Sequence, residues 1–152
     1  MIKKLKGVLV KGYQIASGTS TITPYKDGSI KLQKPFFEER GFCMKTLYLA
    51  TLNIDIPNHE FIITNPTYYF ENLKWEKDFP AETFSIVSCT LKYKMKQYDA
   101  YIYYPHVETK SDHIQKKSTL EVLSPFVDGI SYEDEVEVQL DTLNISVYFT
   151  ET

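Results

Sequence analysis

Residues 47–56 read LYLATLNIDI, and this stretch gives the clearest indication of the fold class. Apolar and polar side chains alternate through most of it, which is typical of a β-strand. Pro57 follows at once and ends the strand, because proline has no N–H to give to a β-ladder. The centre of the chain is therefore predicted to form a sheet.

The same short-range alternation continues on both sides of this stretch. It predicts further strands at residues 5–10, 19–24, 29–33, 61–64, 83–93, 99–104, 118–123, 134–140 and 143–149. The turn signal Lys26-Asp27-Gly28 would join the second and third of these strands into a hairpin. The one helical candidate is residues 35–41, with Pro35 at its first position and Gly41 as its stop.

This pattern of many short strands and one short helix predicts a mostly β protein. A closed or nearly closed small β-barrel is favoured because closure removes exposed sheet edges, and a β-sandwich is the alternative. No Pro/Gly/Ser-rich linker, composition shift or internal repeat divides the chain, so residues 1–152 are predicted to form one domain.

Charge and hydropathy limit the partners that the chain can be expected to bind. Seventeen Lys and Arg against 20 Asp and Glu give a net charge of −3, so no global basic field would attract nucleic acid or an acidic membrane. Residues 41–52, which are largely apolar but interrupted by Lys45, are too short to span a bilayer. With no signal peptide and two cysteines expected to be reduced and buried, a cytoplasmic location is predicted. The oligomeric state stays open.

Several common catalytic motifs are absent from the sequence. The chain contains no phosphate-binding P-loop, no G-x-G-x-x-G, no G-x-S-x-G and no H-E-x-x-H. The three histidines, His59, His106 and His113, are not spaced as metal ligands. The polar residues 106–117 are predicted to form an exposed loop, and loops of about a dozen residues are often functional.

A set of weak motifs extends over about 130 residues in a fixed order. The set comprises KGVLVKG at 6–12, FFEERGF at 36–42, ATLNI at 50–54, AYIYYP at 100–105, LEVLSP at 120–125 and EDEVEV at 133–138. In this order the chain resembles the archaeal-type CTP-dependent riboflavin kinases, whose pattern runs G-x-V-x-x-G, L-G-F, G-T-L-N, E-[IV]-[IL]-A-P and D-G-D-x-V-E-V. The resemblance implies a six-stranded cradle-loop barrel that transfers a γ-phosphoryl group from CTP to riboflavin, giving FMN.

The T-L-N motif is the first place where this resemblance implies chemistry. Thr51 and Asn53 project from the same face of a strand while Leu52 points to the other face. A hydroxyl and a carboxamide oxygen can share one Mg²⁺, which keeps several waters and takes phosphate oxygens as further ligands. The resemblance therefore implies that Thr51 and Asn53 are the magnesium ligands.

Glu121 is the second residue that the resemblance singles out. It lies between Leu120 and Val122 in an apolar strand, where a carboxylate needs solvent or a partner. The resemblance implies that Glu121 contacts riboflavin, where it could accept the proton of the primary hydroxyl as the phosphoryl group moves. It also implies that Thr109 contacts the flavin.

The nucleotide loop departs from the family pattern. Residues 12–19 keep only the outer glycines, Gly12 and Gly18, so Ser17 and Thr19 are expected to supply hydroxyls in place of glycine amides. The turn after Pro125 is shorter than in the family and lacks its arginine, which leaves the phosphate donor open between CTP and another triphosphate. Two alternatives to the kinase therefore remain, a non-catalytic flavin- or nucleotide-binding module and a protein-interaction domain on the same barrel.

Overall fold

The computed structural model describes residues 1–11, 25–26, 30–78, 80–106 and 117–150. In chain order the elements are β1 (Ile2–Leu9), β2 (Tyr25–Lys26), α1 (Ile30–Glu39), β3 (Thr51–Asp55), β4 (His59–Ile63), β5 (Tyr68–Leu73), β6 (Glu82–Tyr93), β7 (Lys96–His106), β8 (Thr119–Leu123), β9 (Glu135–Asp141) and β10 (Ile145–Phe149).

Six of these strands form a closed antiparallel β-barrel. The ring runs β1-β9-β6-β7-β8-β3, and it closes where β3 pairs with β1 through Val8 opposite Asp55 and Leu9 opposite Ile54. The predicted closed barrel with one short helix is confirmed for the part of the chain that the structure describes. Closure leaves none of the six barrel strands as a fully open edge.

The barrel interior is packed with aliphatic side chains, which we call the barrel core. Leu52 and Ile54 of β3, Val122 of β8 and Val138 of β9 are completely buried there. Gly7 lets β1 approach β3 at the closing seam, since a Cβ on this residue would lie 2.6 Å from the Ile54 Cγ2 atom. The inward side chains of every barrel strand thus follow the period of two that the sequence shows.

A second cluster, which we call the outer core, lies on the other face of the barrel wall. Strand β6 makes it possible, because its first half pairs with β5 and its second half with β9. Helix α1 covers this face and inserts Phe37, whose ring stacks on Phe70 at 4.9 Å and meets Phe84 edge-on at 5.1 Å. Its full membership is Ile30, Phe37, Phe42, Met44, Leu47, Phe70, Leu73, Trp75, Phe84, Ile86, Tyr103 and Leu123.

The helix begins earlier than the sequence predicts. It spans Ile30–Glu39, so the predicted strand at residues 29–33 is wrong where the structure describes it, and Pro35 lies inside the helix. The spacing i, i+3, i+7 of Ile30, Gln33 and Phe37 directs one face into the outer core. The predicted stop at Gly41 is confirmed, because its φ of 98° allows the N–H groups of residues 41 and 42 to bond back to residues 38 and 37.

The strands differ from the predicted ones in several places, and Lys26 of the predicted hairpin turn belongs to β2, which pairs with β3. The predicted strand at 47–56 is shortened to β3, because Leu47 bonds back to Met44 in a turn before it. Strand β5 is absent from the prediction, since Asn72, with a φ of 51°, sits in an irregularity that breaks the alternation. Strand β4 pairs with β10 in a separate two-stranded sheet.

Within the described ranges, no helix is long and apolar enough to cross a membrane.

Candidate functional site

The pairing of β3 with β8 brings three predicted site residues together. Asn53 lies directly opposite Glu121 in the ladder, although 68 positions separate them in the chain. The Thr51 hydroxyl donates a hydrogen bond to Glu121 Oε1 at 3.2 Å. The proposed metal ligands and the proposed proton acceptor therefore share one short segment of two neighbouring strands.

These side chains lie on the outer face of the barrel wall. Leu52 and Ile54 point into the barrel core, so Thr51 and Asn53, which alternate with them, project to the opposite face. Thr51 is 2% exposed and Asn53 is 3% exposed, while Glu121 is half-buried. Polar side chains in such surroundings must be hydrogen-bonded, and the Thr51–Glu121 bond is one of the contacts that serves this need.

The polar surface continues toward the end of β3. Asp55 lies opposite Thr119, and its Oδ1 atom accepts hydrogen bonds from the Ser118 hydroxyl at 2.5 Å and the Thr119 hydroxyl at 3.3 Å. We call the outer-face side chains of these two strands the polar ladder: Thr51, Asn53, Asp55, Thr119 and Glu121. It carries two carboxylates, two hydroxyls and one carboxamide.

A tyrosine that sequence reasoning missed connects the polar ladder to the helix. Tyr103 of β7 donates its hydroxyl hydrogen to Gln33 Oε1 of α1 at 2.7 Å, and both side chains are buried. Burial raises the pKa of Tyr103 well above its ordinary value, and the negative charge of Glu121 raises it further. Glu121 and Tyr103 are therefore electrostatic neighbours.

Described residues on both sides of the predicted nucleotide loop contact β3. Gly12, Ser17, Gly18 and Thr19 lie outside the described residues. Before them, the Val10 N–H donates to the Asn53 carbonyl at 3.0 Å. After them, β2 pairs with β3, with Lys26 opposite Thr51 and Tyr25 opposite Leu52. The segment therefore leaves and rejoins the described chain within one residue of the proposed metal ligands.

The predicted flavin contact Thr109 also lies outside the described residues, as do residues 107–116 of the predicted loop. The loop begins at His106, whose Nε2 lies 2.7 Å from the Ser85 hydroxyl. It rejoins the described chain before Ser118, which is bonded to Asp55 at one end of the polar ladder.

The remaining candidate nucleophiles offer little chemistry. Ser85 is 2% exposed, so its bond to His106 does not present an accessible hydroxyl to a substrate. Burial raises the pKa of Cys89 to about 12, which keeps it a thiol at neutral pH. Cys43 is exposed, so the expectation that both thiols are buried is wrong for this residue.

The donor atoms of the polar ladder suit a hard cation. A Thr hydroxyl, an Asn carboxamide oxygen and a Glu carboxylate are oxygen ligands of the kind that Mg²⁺ takes, and a magnesium ion needs only one or two of them beside phosphate. Thr51 gives its hydrogen to Glu121, which leaves the lone pairs of its oxygen as the acceptor side. The donor chemistry therefore fits the metal that the resemblance implies. Thr51 and Asn53 are nevertheless as deeply buried as Ser85, so a metal can reach them only if the residues that cover them move.

In comparisons with known proteins, no protein-family model and no curated protein matches the chain. The fold and the site by themselves define a class, a small closed antiparallel β-barrel with a partly buried polar ladder on the outer face of its wall.

Proposed function

We propose that this chain is a riboflavin kinase-like phosphotransferase, which moves the γ-phosphoryl group of a nucleoside triphosphate to the 5′-hydroxyl of riboflavin. The observation that carries the proposal is the shared position of Thr51, Asn53 and Glu121 on the polar ladder. The resemblance assigns metal binding to Thr51 and Asn53 and contact with riboflavin to Glu121, and the pairing of β3 with β8 brings Glu121 beside them although 68 positions separate it from Asn53.

The bond changes of this reaction are simple. The riboflavin hydroxyl oxygen forms a bond to the γ-phosphorus, and the bond from that phosphorus to the β,γ-bridging oxygen breaks, giving FMN and a nucleoside diphosphate. The hydroxyl proton passes to the carboxylate of Glu121. A magnesium ion, when bound, neutralises phosphate charge. Thr51 and Asn53 would hold it, and positioning supplies most of the rate.

The attachment of the nucleotide loop also supports the proposal. A triphosphate must be held by backbone donors beside its metal and in line with the acceptor hydroxyl. Val10, two residues before Gly12, bonds to the Asn53 carbonyl, and Tyr25, six residues after Thr19, pairs with Leu52. The described residues that flank the predicted phosphate-binding loop are therefore adjacent to the residues that would bind the metal.

A backbone angle at the other end of the chain agrees with the same resemblance. The family pattern D-G-D-x-V-E-V has glycine at the position where this chain has Glu133, just before Asp134. Glu133 adopts a φ of 72°, the left-handed conformation that glycine adopts without strain. The chain thus keeps a glycine-type backbone where the family has glycine, although the side chain has changed.

The direct test is FMN formation. The protein is incubated with riboflavin, Mg²⁺ and each of the four common nucleoside triphosphates in turn, and FMN is measured by chromatography. We expect product with at least one donor. Asn53→Ala should abolish FMN formation while riboflavin affinity changes by less than about tenfold, roughly 1.4 kcal/mol, because the metal serves the phosphates.

A matched variant controls for truncation of a polar strand residue. Gln139 of β9 is half-buried, and its side-chain amide donates a hydrogen bond to Glu137 of the same strand. Gln139→Ala should retain both activity and riboflavin binding. A wild-type protein that binds riboflavin but yields no FMN with any donor would contradict the kinase proposal.

A specific observation favours a second candidate function, a non-catalytic flavin- or nucleotide-binding module. Thr51 already donates its hydroxyl hydrogen to Glu121, and the nucleotide segment lacks the inner glycines of the family pattern. Such a module binds ligands without turnover. A thermal-shift screen of riboflavin, FMN and the triphosphates, with and without Mg²⁺, identifies it, since a ligand that binds the native state raises the unfolding midpoint.

A further inference from the structure

Two large aromatic rings are exposed and in contact beside the polar ladder. Tyr48 is 44% exposed and Phe126 is 52% exposed, and their ring centroids lie 5.0 Å apart with an interplanar angle of 59°. We call them the aromatic pair. Half-exposed aromatic rings that pack on each other leave apolar ring surface in water, which is a common property of binding surfaces.

The backbone holds the aromatic pair close to the proposed phosphate site. The Tyr48 N–H donates to the Ser124 carbonyl at 2.9 Å, which extends the contact between the β3 and β8 segments beyond the strands. Tyr48 precedes Thr51 by three residues, and three residues of extended chain span at most about 11 Å. The rings therefore lie within reach of a ligand whose phosphates contact Thr51.

We propose that the aromatic pair is the stacking surface for the base of the phosphate donor, and that donor choice is consequently broad, with purine triphosphates preferred. This inference rests on the proposed function and deepens it. Every base has a π-face, so stacking on aromatic rings tolerates all bases and favours the larger ones, at about 1–3 kcal/mol per base.

The turn that carries Phe126 agrees with recognition by stacking. Residues 124–127 read SPFV and contain no charged side chain. The Ser124 hydroxyl is engaged with the Pro125 carbonyl at 2.8 Å. Base-edge reading needs side-chain donors and acceptors directed at the ring, whereas an apolar turn with one exposed ring offers a face.

The test compares five ligands, ATP, GTP, CTP, tripolyphosphate and riboflavin, on the wild-type chain and on the double variant Tyr48→Leu/Phe126→Leu. Leucine keeps apolar packing and removes the π-face. We expect the affinity for ATP and GTP with Mg²⁺ to fall about tenfold or more, and the affinity for CTP to fall about threefold. Tripolyphosphate with Mg²⁺, which has no base, should bind equally well to both proteins. Riboflavin affinity should change less than about twofold, and thermal unfolding verifies that the variant is folded.

The control removes two exposed aromatic rings elsewhere. Tyr148 is 49% exposed and Phe149 is 70% exposed on β10, in the separate two-stranded sheet. Tyr148→Leu/Phe149→Leu should leave all five affinities unchanged. The stacking proposal would be overturned if the Tyr48/Phe126 variant bound the nucleotides as tightly as the wild type does, or if it lost affinity for riboflavin alone. Wild-type protein that binds tripolyphosphate but gains nothing from a base overturns the stacking proposal alone, whereas no binding of any triphosphate overturns the proposed function as well.

Discussion

The barrel core and the outer core are built from different side chains. The barrel core is aliphatic apart from Tyr93, whereas half of the outer core is aromatic. Three of the five buried polar residues that the structure describes, Gln33, Thr51 and Asn53, belong to the outer face of the wall, where α1 and the polar ladder lie. Ser85 alternates with outer-core residues of β6, and Ser124 follows β8. The outer face of the sheet therefore carries most of the buried polar side chains.

This difference has a physical reason. A closed barrel interior offers a buried polar group few partners, because the backbone groups around it are already paired in the ladders. The outer face is covered by a helix and loops, which bring partners such as Gln33 from outside the sheet. Polar side chains can therefore be placed on the outer face of the wall without weakening the barrel.

The largest expected effect separates two neighbouring residues of β3. Leu52→Ala leaves a cavity in the barrel core and should lower the free energy of unfolding by about 2–5 kcal/mol. Asn53→Ala removes a buried polar group from the outer face and should cost about 1–3 kcal/mol, while abolishing FMN formation. Urea unfolding followed by the fluorescence of Trp75, the single tryptophan, measures both changes. A larger stability loss in Asn53→Ala than in Leu52→Ala would remove the distinction between the faces.

The second prediction concerns the bond between the wall and the helix. Tyr103→Phe leaves the buried Gln33 oxygen without its hydroxyl donor, so we expect a loss of about 1–3 kcal/mol in unfolding free energy. Adding Gln33→Leu removes the unsatisfied acceptor and should recover part of the loss. If the double variant lost as much unfolding free energy as Tyr103→Phe, or more, the unsatisfied Gln33 oxygen would not be the cause of the loss.

The third prediction concerns backbone strain just before β9. Glu133 has a φ of 72° and donates its N–H to the Leu9 carbonyl of β1 at 2.7 Å. Glu133→Gly should therefore stabilise the protein by about 1 kcal/mol, because glycine adopts this conformation without a Cβ penalty. Glu135→Gly, in the ordinary conformation at the start of β9, should destabilise it by about 0.5–1 kcal/mol. Opposite signs in thermal unfolding are the expected result, and equal signs would contradict it.

The smallest effect is a pH dependence at the barrel rim. The Tyr93 hydroxyl donates to Asp134 Oδ2 at 2.7 Å, which lowers the pKa of Asp134, with help from the Ser131 N–H. The same bond raises the pKa of Tyr93. The carboxylate therefore adds stability above its ordinary pKa of about 4, which is lost as the pH falls through the lowered value. On the alkaline side, the bond is present below the ordinary tyrosine pKa of about 10 and is lost as the pH rises through the raised value.

Asp134→Asn tests this dependence. It should reduce the loss of unfolding free energy in acid. The reduction should be at most about 1 kcal/mol, because solvent screens a half-exposed charge. Asp128→Asn, at an exposed carboxylate in the preceding turn, is the control and should keep the wild-type profile. An Asp134→Asn profile identical with that of the wild type would contradict the prediction.

The sequence predicts the barrel strands well and the outer core poorly. Inward-facing residues such as Leu52 and Ile54 alternate strictly, because one face of each barrel strand packs in an apolar interior. The outer core depends on an irregularity at Asn72 and on a helix that contains Pro35, and both break the local periods on which prediction rests.

The candidate site divides in the same way. The same-face relation of Thr51 and Asn53 follows from strand geometry alone and could be predicted. The position of Glu121 opposite Asn53 depends on a long-range strand register, and the sequence suggested it only through the family resemblance. The pairing of Tyr103 with Gln33 could not be predicted from the local sequence, because the two residues meet only when the helix packs on the sheet.

The pairing of β1 with β9 has a consequence for synthesis on the ribosome. The two strands are separated by well over a hundred residues, which take on the order of ten seconds to translate, so β1 must wait for its partner. A waiting strand with unpaired edges invites intermolecular pairing. Lys3, Lys4 and Lys6 place charge along β1, and such charges oppose association between nascent chains. The same lysines that face solvent in the finished barrel thus protect its first strand during the interval before closure.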